Sequence, residues 1–327
     1  MSTPNLNMIE VTDLSKSYGP IQALQGITFT VKKGEVVGFL GPNGAGKSTT
    51  MKIITGSMAP TSGSAKVAGF DVFEDPIEVK KRIGYLPENP PVYGDMNIES
   101  YLTFVARLKG VEKSKVKSQV EKAIEKTDLG SVRRRLIQNL SKGYRQRVGI
   151  AQALVSDPEI LILDEPTSGL DPRQVAEVRS LIQELKGEHT IILSTHILPE
   201  VQAMCERIII VNRGRIVAQD SLEGLASRMA GTLELKVRVA RPGADVEAAL
   251  RSVAGVSAVL KTDSGYTVNV LGTGDAAIEK VAEAAVMSKS GLLELRKESA
   301  DLEDIFLKLT TSEENQKSEN MAAGGVA

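Results

Sequence analysis

At 327 residues the chain is long enough for two domains of about 150 residues, each burying its own core. Its 40 Lys plus Arg balance 41 Asp plus Glu, and the formal charge of −1 excludes capture of nucleic acid or an anionic membrane by a global field. A single cysteine, Cys205, excludes an internal disulfide, and apolar runs such as Ile160 to Leu163 and Ile208 to Val211 fall far short of the roughly 18 residues that span a bilayer.

With 42% hydrophobic but only 4% aromatic residues and no Trp, the expected cores are aliphatic, with few platforms for stacked nucleobases. The start, MSTPNLNMIE, has neither the basic nor the apolar region of a secretory leader. Ile9 to Val11 and Ala23 to Val31 alternate apolar and polar residues, which predicts half-buried antiparallel strands broken at Gly19, Pro20 and Gly34. Glu35 to Leu40 (EVVGFL) is instead a nearly continuous apolar run that enters a Gly-rich turn, with a helix from Ser48 onward. Between Ile98 and Ala153 no such run occurs, and the spacing of Ile98 to Leu108 and Ser114 to Thr127 predicts a helical insertion over about residues 90–155. Within it the triple arginine Arg133 to Arg135 reads as a solvated face.

Glu159 to Leu163, Thr190 to Leu193 and Arg207 to Val211 return to the buried-strand character, with helical patterns between them such as Gln174 to Leu185. That alternation predicts a parallel, helix-covered sheet. His189 reads as a surface loop residue, and Cys205, beside Met204, as core. After Ser227 the pattern resets. A strand over Leu233 to Val239, a helix over Asp245 to Val253, strands at Val256 to Leu260 and Tyr266 to Leu271 around a turn at Asp263, Ser264 and Gly265, a helix over Asp275 to Met287 and a strand over Leu292 to Arg296 give a β-α-β-β-α-β order. This predicts a ferredoxin-like α+β domain over 229–310, closed by a short helix at Leu302 to Leu309. It follows an α/β domain over 1–228 and precedes a disordered tail over 311–327.

Residues 41 to 49 read GPNGAGKST, the G-x-x-x-x-G-K-[ST] phosphate loop, between the buried strand and the helix that such a loop requires. Gly41, Gly44 and Gly46 let the backbone curl so that its N–H groups, with Pro42, Asn43 and Ala45 in the same turn, surround an anion at a helix N-terminus. Lys47 is placed to reach the β and γ oxygens of a nucleotide, Ser48 to coordinate Mg²⁺, and Thr49 to make a further phosphate contact. The strand EILILDE ends in two carboxylates, and ligands of open α/β sheets gather at such strand ends. Asp164 is the candidate for holding Mg²⁺ through water and Glu165 the candidate general base for an attacking water. His196 ends the strand TIILSTH and is expected to face the same crevice, within reach of the γ-phosphate or the water.

Leu140 to Arg147 reads LSKGYRQR, followed by a helix. This resembles the signature motif LSGGQ of ABC ATPases, with Ser141 and Gly143 matching and Lys142 and Tyr144 departing. The other elements of that family stand in order: Tyr18 in SKSYG, Glu88 in YLPEN at the Q-loop position, Ser168 to Pro172 (SGLDP) as the D-loop and Ser194 to His196 (STH) as the H-loop. Glu88 in place of the usual Gln, together with PENPPVYGDMNIESYL, is similar to the ATP-binding subunits of ABC-2 type exporters, including those of gliding motility and drug export.

The resemblance implies a P-loop NTPase fold of the ABC type, with an antiparallel β subdomain and a helical insertion. It implies ATP with Mg²⁺ as cofactors, Tyr18 against the adenine and Glu88 beside Ser48 and Asp164 at the metal. It further implies a homodimer that sandwiches two ATP molecules, each between the phosphate loop of one copy and Ser141 and Gly143 of the other. A separate integral-membrane permease would dock on the Q-loop and helical insertion, with no direct nucleic-acid contact. The implied location is cytoplasmic, peripheral on the cytoplasmic face of the cell membrane. The alternative, a soluble ABC ATPase acting on the ribosome or nucleic acid, is opposed by a single ATPase domain without a long coiled-coil insertion or basic linker. A small-molecule P-loop kinase is opposed by the signature and the D-loop. The carboxyl-terminal domain reads as a dimerisation or packing module, with ligand sensing as its alternative; its SADLEDIFLKLT segment resembles the ending of many such exporter subunits.

Overall fold

Alternating and continuous apolar runs build two different sheets in the amino-terminal part of the chain. The structure is a computed structural model that describes residues 6–229, 232–262, 265–271 and 275–298. β1 (Asn7–Tyr18) and β2 (Ile21–Lys32) form a hairpin that turns at Gly19 and Pro20, and their alternation buries Ile9, Val11, Leu24, Ile27, Phe29 and Val31. β3 (Val36–Leu40) is buried at every position, and α1 (Lys47–Ile54) follows the Gly-rich turn. β4 (Ser62–Val67) and β5 (Phe70–Asp71) complete an antiparallel sheet of order β2-β1-β4-β5.

α2 (Pro76–Arg82) leads into β6 (Ile83–Leu86), a strand absent from the expected pattern. It has only four residues, one of them Gly84, where a Cβ would lie 2.1 Å from the Ala153 carbonyl oxygen of a covering helix. α3 (Ile98–Leu108), α4 (Val116–Lys126) and α5 (Lys142–Leu154) form the helical insertion around Leu102, Val105, Val120, Ile124, Leu129 and Val148. Arg133 lies partly exposed, on the solvated side expected of it, but it is not without partners. It binds Glu121 at 2.9 Å and Glu99 at 3.0 Å, tying α3 to α4, whereas Arg134 and Arg135 are exposed.

β7 (Ile160–Asp164), α6 (Pro172–Leu185), β8 (Thr190–Thr195), α7 (Leu198–Met204), β9 (Arg207–Asn212) and β10 (Arg215–Ser221) finish a second sheet of order β10-β9-β3-β8-β7-β6. β9, β3, β8, β7 and β6 are parallel, and their inner residues Phe39, Ile162, Ile192 and Ile209 share one core with the antiparallel sheet and α1. His189 is only 5% exposed, contrary to the surface position expected of it. Its backbone N–H reaches Leu185 and its Nδ1 donates to the Pro158 carbonyl at 2.6 Å, so the ring is satisfied under the entry to β7. Cys205 is buried as expected, and burial pushes its thiol up to about 12.

The chain divides into two compact units, one through Gln219 and the other from Asp220, a division that falls within β10. The second unit holds α8 (Leu222–Met229), β11 (Thr232–Val239), α9 (Ala244–Arg251), β12 (Val256–Thr262), β13 (Gly265–Leu271), α10 (Asp275–Met287) and β14 (Leu292–Glu298). Its sheet has the order β12-β13-β11-β14 with every neighbouring pair antiparallel, and Val237, Val246, Leu250, Tyr266, Val268 and Val281 form its core. Asp263, Ser264, the Leu302 to Leu309 helix and the tail over 311–327 lie outside the described residues.

Candidate active site

Because parallel strands end on the same edge, β3, β8, β7 and β6 bring their carboxyl-terminal residues to one crevice. Gly41 follows β3, His196 follows β8, Asp164 ends β7 with Glu165 next, and Glu88 lies just beyond β6. A cleft of about 520 Å³ is lined by Ala23, by Asn43, Gly44, Gly46, Lys47, Ser48 and Thr49 of the loop, and by Glu88, Glu165, Ser168 and His196.

The loop that joins β3 to α1 depends on glycine for two separate reasons. A Cβ on Gly41 would lie 2.2 Å from the Val211 carbonyl oxygen, so this position is set by the close approach of β9. Gly44 and Gly46 have φ of +79° and +109°, which side chains rarely adopt. The Gly214 N–H, on the turn between β9 and β10, donates to the Ala45 carbonyl at 2.9 Å and anchors the loop. Gly46 caps α1 without a side-chain bond, and no acidic residue stands in its first turn. The N–H groups of that turn and the positive end of the helix dipole are therefore available to an anion.

Lys47 is 5% exposed, and its ammonium donates to the carbonyls of Gly41 at 2.8 Å and Pro42 at 3.3 Å, with Glu165 Oε1 at 3.5 Å. Asp164, 2% exposed, accepts from Ser48 Oγ at 3.3 Å and from Ser194 Oγ. Glu165, 7% exposed, has a left-handed backbone with φ of +50°, held by its N–H donating to the Ser194 carbonyl at 3.0 Å. Its carboxylate lies 3.0 Å from His196 Nδ1. The role of Ser194 was not legible in the sequence: it arises from the register of β7 against β8, which pairs Asp164 with Ser194. The hydroxyl of Tyr85 in β6 is buried without a hydrogen-bond partner, and burial and then the charge of Asp164 push it up to about 12.

Not every expected residue lines the cleft. Tyr18, at the end of β1, is 44% exposed; its hydroxyl lies 2.8 Å from Met58 Sδ and the Lys16 ammonium 5.5 Å from its ring centre, so one face is covered. Ser141 caps α5, accepting from the Tyr144 N–H at 3.4 Å, and Gly143 lies against the Gln174 side chain. Neither belongs to the cleft lining of their own chain. Among the described residues no cluster of three or more His, Cys, Asp or Glu could hold a metal alone, so a cation here would take the rest of its shell from a ligand and water.

Strand, Gly-rich turn and helix, with a buried lysine and a strand-end Asp–Glu pair beside them, define an α/β P-loop nucleotide hydrolase. Residues 24–168 match the family model described as ABC transporter. The chain is 38% identical over 224 residues to the ABC transporter ATP-binding protein NatA of Bacillus subtilis, covering 67% of this chain and 91% of the relative. It is 30% identical over 305 residues to the linearmycin resistance ATP-binding protein LnrL of the same organism, covering 93% of this chain and 98% of the relative. The bacitracin transport ATP-binding protein BcrA of Bacillus licheniformis is 36% identical over 232 residues, 70% of this chain and 75% of the relative. Among solved structures, an ATP-binding subunit of an ABC transporter superposes with a TM-score of 0.63 at 32% identity, covering 68% of this chain and 93% of that one. The ATP-binding cassette MJ0796, in a post-hydrolysis state with ADP and Pi, gives 0.60 at 25% identity over 66% and 99%. This chain belongs to the ATP-binding subunits of ABC transporters and is an ATPase of that family.

Proposed function

We propose that the chain is the ATP-hydrolysing subunit of an ABC-2 type exporter, in which two copies close on two ATP molecules and drive a separate integral-membrane permease from the cytoplasmic face. The observation that carries this reading is the division of the site. The phosphate loop, Glu165 and His196 share one cleft, while Ser141, exposed at the start of α5, and Gly143, buried one residue beyond Lys142, stand outside it. A helix start with a hydroxyl cap suits a phosphate that it does not itself carry, and a second copy supplies one.

In this mechanism the triphosphate enters the first turn of α1, and Lys47 turns from the Gly41 and Pro42 carbonyls to the β and γ oxygens. The hydroxyl of Ser48 and the carboxylate of Asp164 form a hard oxygen pair that would fit Mg²⁺, and Glu88 lines the cleft with Ser48. When bound, the cation neutralises developing phosphate charge. Glu165 takes the proton of the attacking water, and His196, in contact with its carboxylate, holds both in line. Adenine packs on the face of Tyr18 away from Lys16.

The permease surface is supported by exposed aromatic residues beyond Glu88: Tyr93 is 53% exposed and packs edge-on to Phe104 at 5.7 Å, with Leu108 exposed beside them on α3. The exporter class is supported by relatives named for linearmycin resistance and bacitracin transport. LnrL matches nearly the whole of this chain, which supports residues 229–310 as an accessory domain of such subunits.

The test is a mixed dimer. Ser141→Ala and Lys47→Ala chains are each expected to be inactive, whereas their equal mixture regains roughly a quarter of parental hydrolysis, since half the dimers are mixed and each holds one complete site. A mixture no more active than either parent refutes the shared site.

A further inference from the structure

The loop that carries Glu165 is held in an unfavourable shape. Glu165 is a non-glycine residue at φ of +50°, and two residues on, the Thr167 hydroxyl is buried without a hydrogen-bond partner. Such a conformation persists only where neighbouring groups over-determine it. The Glu165 N–H is held from one side by Ser194. From the other side the loop is held by α5. Gln146, only 5% exposed, donates from Nε2 to the Pro166 carbonyl at 2.8 Å in a buried hydrogen bond. One turn earlier on the same helix face, Lys142 extends over Gly169, where a Cβ would lie 1.9 Å from its ammonium.

We propose that Gln146 is a positioning residue for hydrolysis: by fixing the peptide between Pro166 and Thr167, one residue beyond Glu165, it sets the carboxylate, and it ties that carboxylate to the helix that Ser141 begins. The consequence is directional coupling. α5 meets the nucleotide of the partner copy at its start and holds this chain's own Glu165 one turn further along, so engagement of one composite site is felt at the base of the other. The inference rests on the reading of Glu165 as general base and of Ser141 as a contact made across the dimer.

The test replaces Gln146 with Met, which keeps the length and helix preference of the side chain but cannot donate. Displacing a catalytic group by about 1 Å costs on the order of 100-fold in rate, so kcat is expected to fall by about that factor with KM and ATP-driven dimerisation unchanged. A residue that merely stabilised α5 would weaken dimerisation together with hydrolysis. Parental kcat in Gln146→Met overturns the proposal. So does a joint loss of dimerisation and hydrolysis in a variant whose unfolding midpoint is unchanged, since that assigns Gln146 to the signature contact. Should Met not be accommodated and the variant melt early, Gln146→Ala, which also lacks the donor, gives the same split. Glu165→Gln run in parallel separates the two ideas: if it hydrolyses at the parental rate the reading of the base fails, and if it alone is inactive only the role of Gln146 fails.

Discussion

Replacing Glu165 with Gln removes one charge and one proton acceptor while keeping the shape of a side chain that is 7% exposed. Its carboxylate stands 3.5 Å from the Lys47 ammonium, an attraction of about 5 kcal/mol at an effective dielectric near 20, most of which offsets the cost of burying both charges. Lys47 keeps its carbonyl acceptors at Gly41 and Pro42, so the fold survives. What the substitution frees is the lysine. With one negative charge fewer beside Asp164, we expect ATP to bind about tenfold more tightly, a net gain of about 1.4 kcal/mol. Hydrolysis should move the other way, since a general base contributes about 10²–10⁴-fold, or about 2.7–5.5 kcal/mol of barrier. Phosphate release at saturating ATP measures the loss, and light scattering with ATP reports the dimer that accumulates. Hydrolysis at the parental rate removes Glu165 as the base. Loss of ATP binding together with hydrolysis refutes the electrostatic argument, because it would mean that the carboxylate orders the loop rather than competing for Lys47.

The two kinds of glycine in the phosphate loop should respond differently. Gly41→Ala forces its Cβ against the Val211 carbonyl 2.2 Å away, and is expected to cost about 1–3 kcal/mol and, by moving the loop, about 100-fold in hydrolysis. Gly44→Ala meets no neighbour within 4 Å and should cost only the strain of its φ of +79°, about 1–2 kcal/mol; equal losses of hydrolysis in the two variants would contradict the contact. In alkaline spectrophotometric titration Tyr85 and Tyr101, pushed up to about 12 by burial, should ionise well above the ordinary tyrosine range. Both folded values are raised, so their stabilisation is complete below about pH 10, where the unfolded chain begins to ionise, and is lost as pH rises through 12. Chemical denaturation at pH 8 and pH 11 checks the sign, and equal stability at the two values would refute it.

What could be read from the sequence is what is local. The phosphate loop is contiguous, and its flanking strand and helix follow from a continuous apolar run and a glycine turn, so Gly41 to Thr49 needed no tertiary knowledge. Runs buried on both faces already required a covered parallel sheet, though not that the antiparallel sheet shares in covering it, and the amphipathic period of Asp275 to Met287 gave the bounds that α10 has. Residues whose environment is made by distant chain segments were read less well. Arg133 finds Glu99 and Glu121, His189 finds the Pro158 carbonyl, and β6 is a strand because Ile83 to Leu86 pair with Ile160 to Leu163. The arrangement of the candidate site is likewise tertiary. Insertion of β8 between β3 and β7 sets Ser194 opposite Asp164 and His196 beside Glu165, and the packing of α5 delivers Gln146 to the Pro166 carbonyl. Side-chain chemistry and periodicity are properties of neighbouring residues and survive in the one-dimensional record. Strand order and register are decided by which apolar faces the helices cover, and only the folded chain makes that choice.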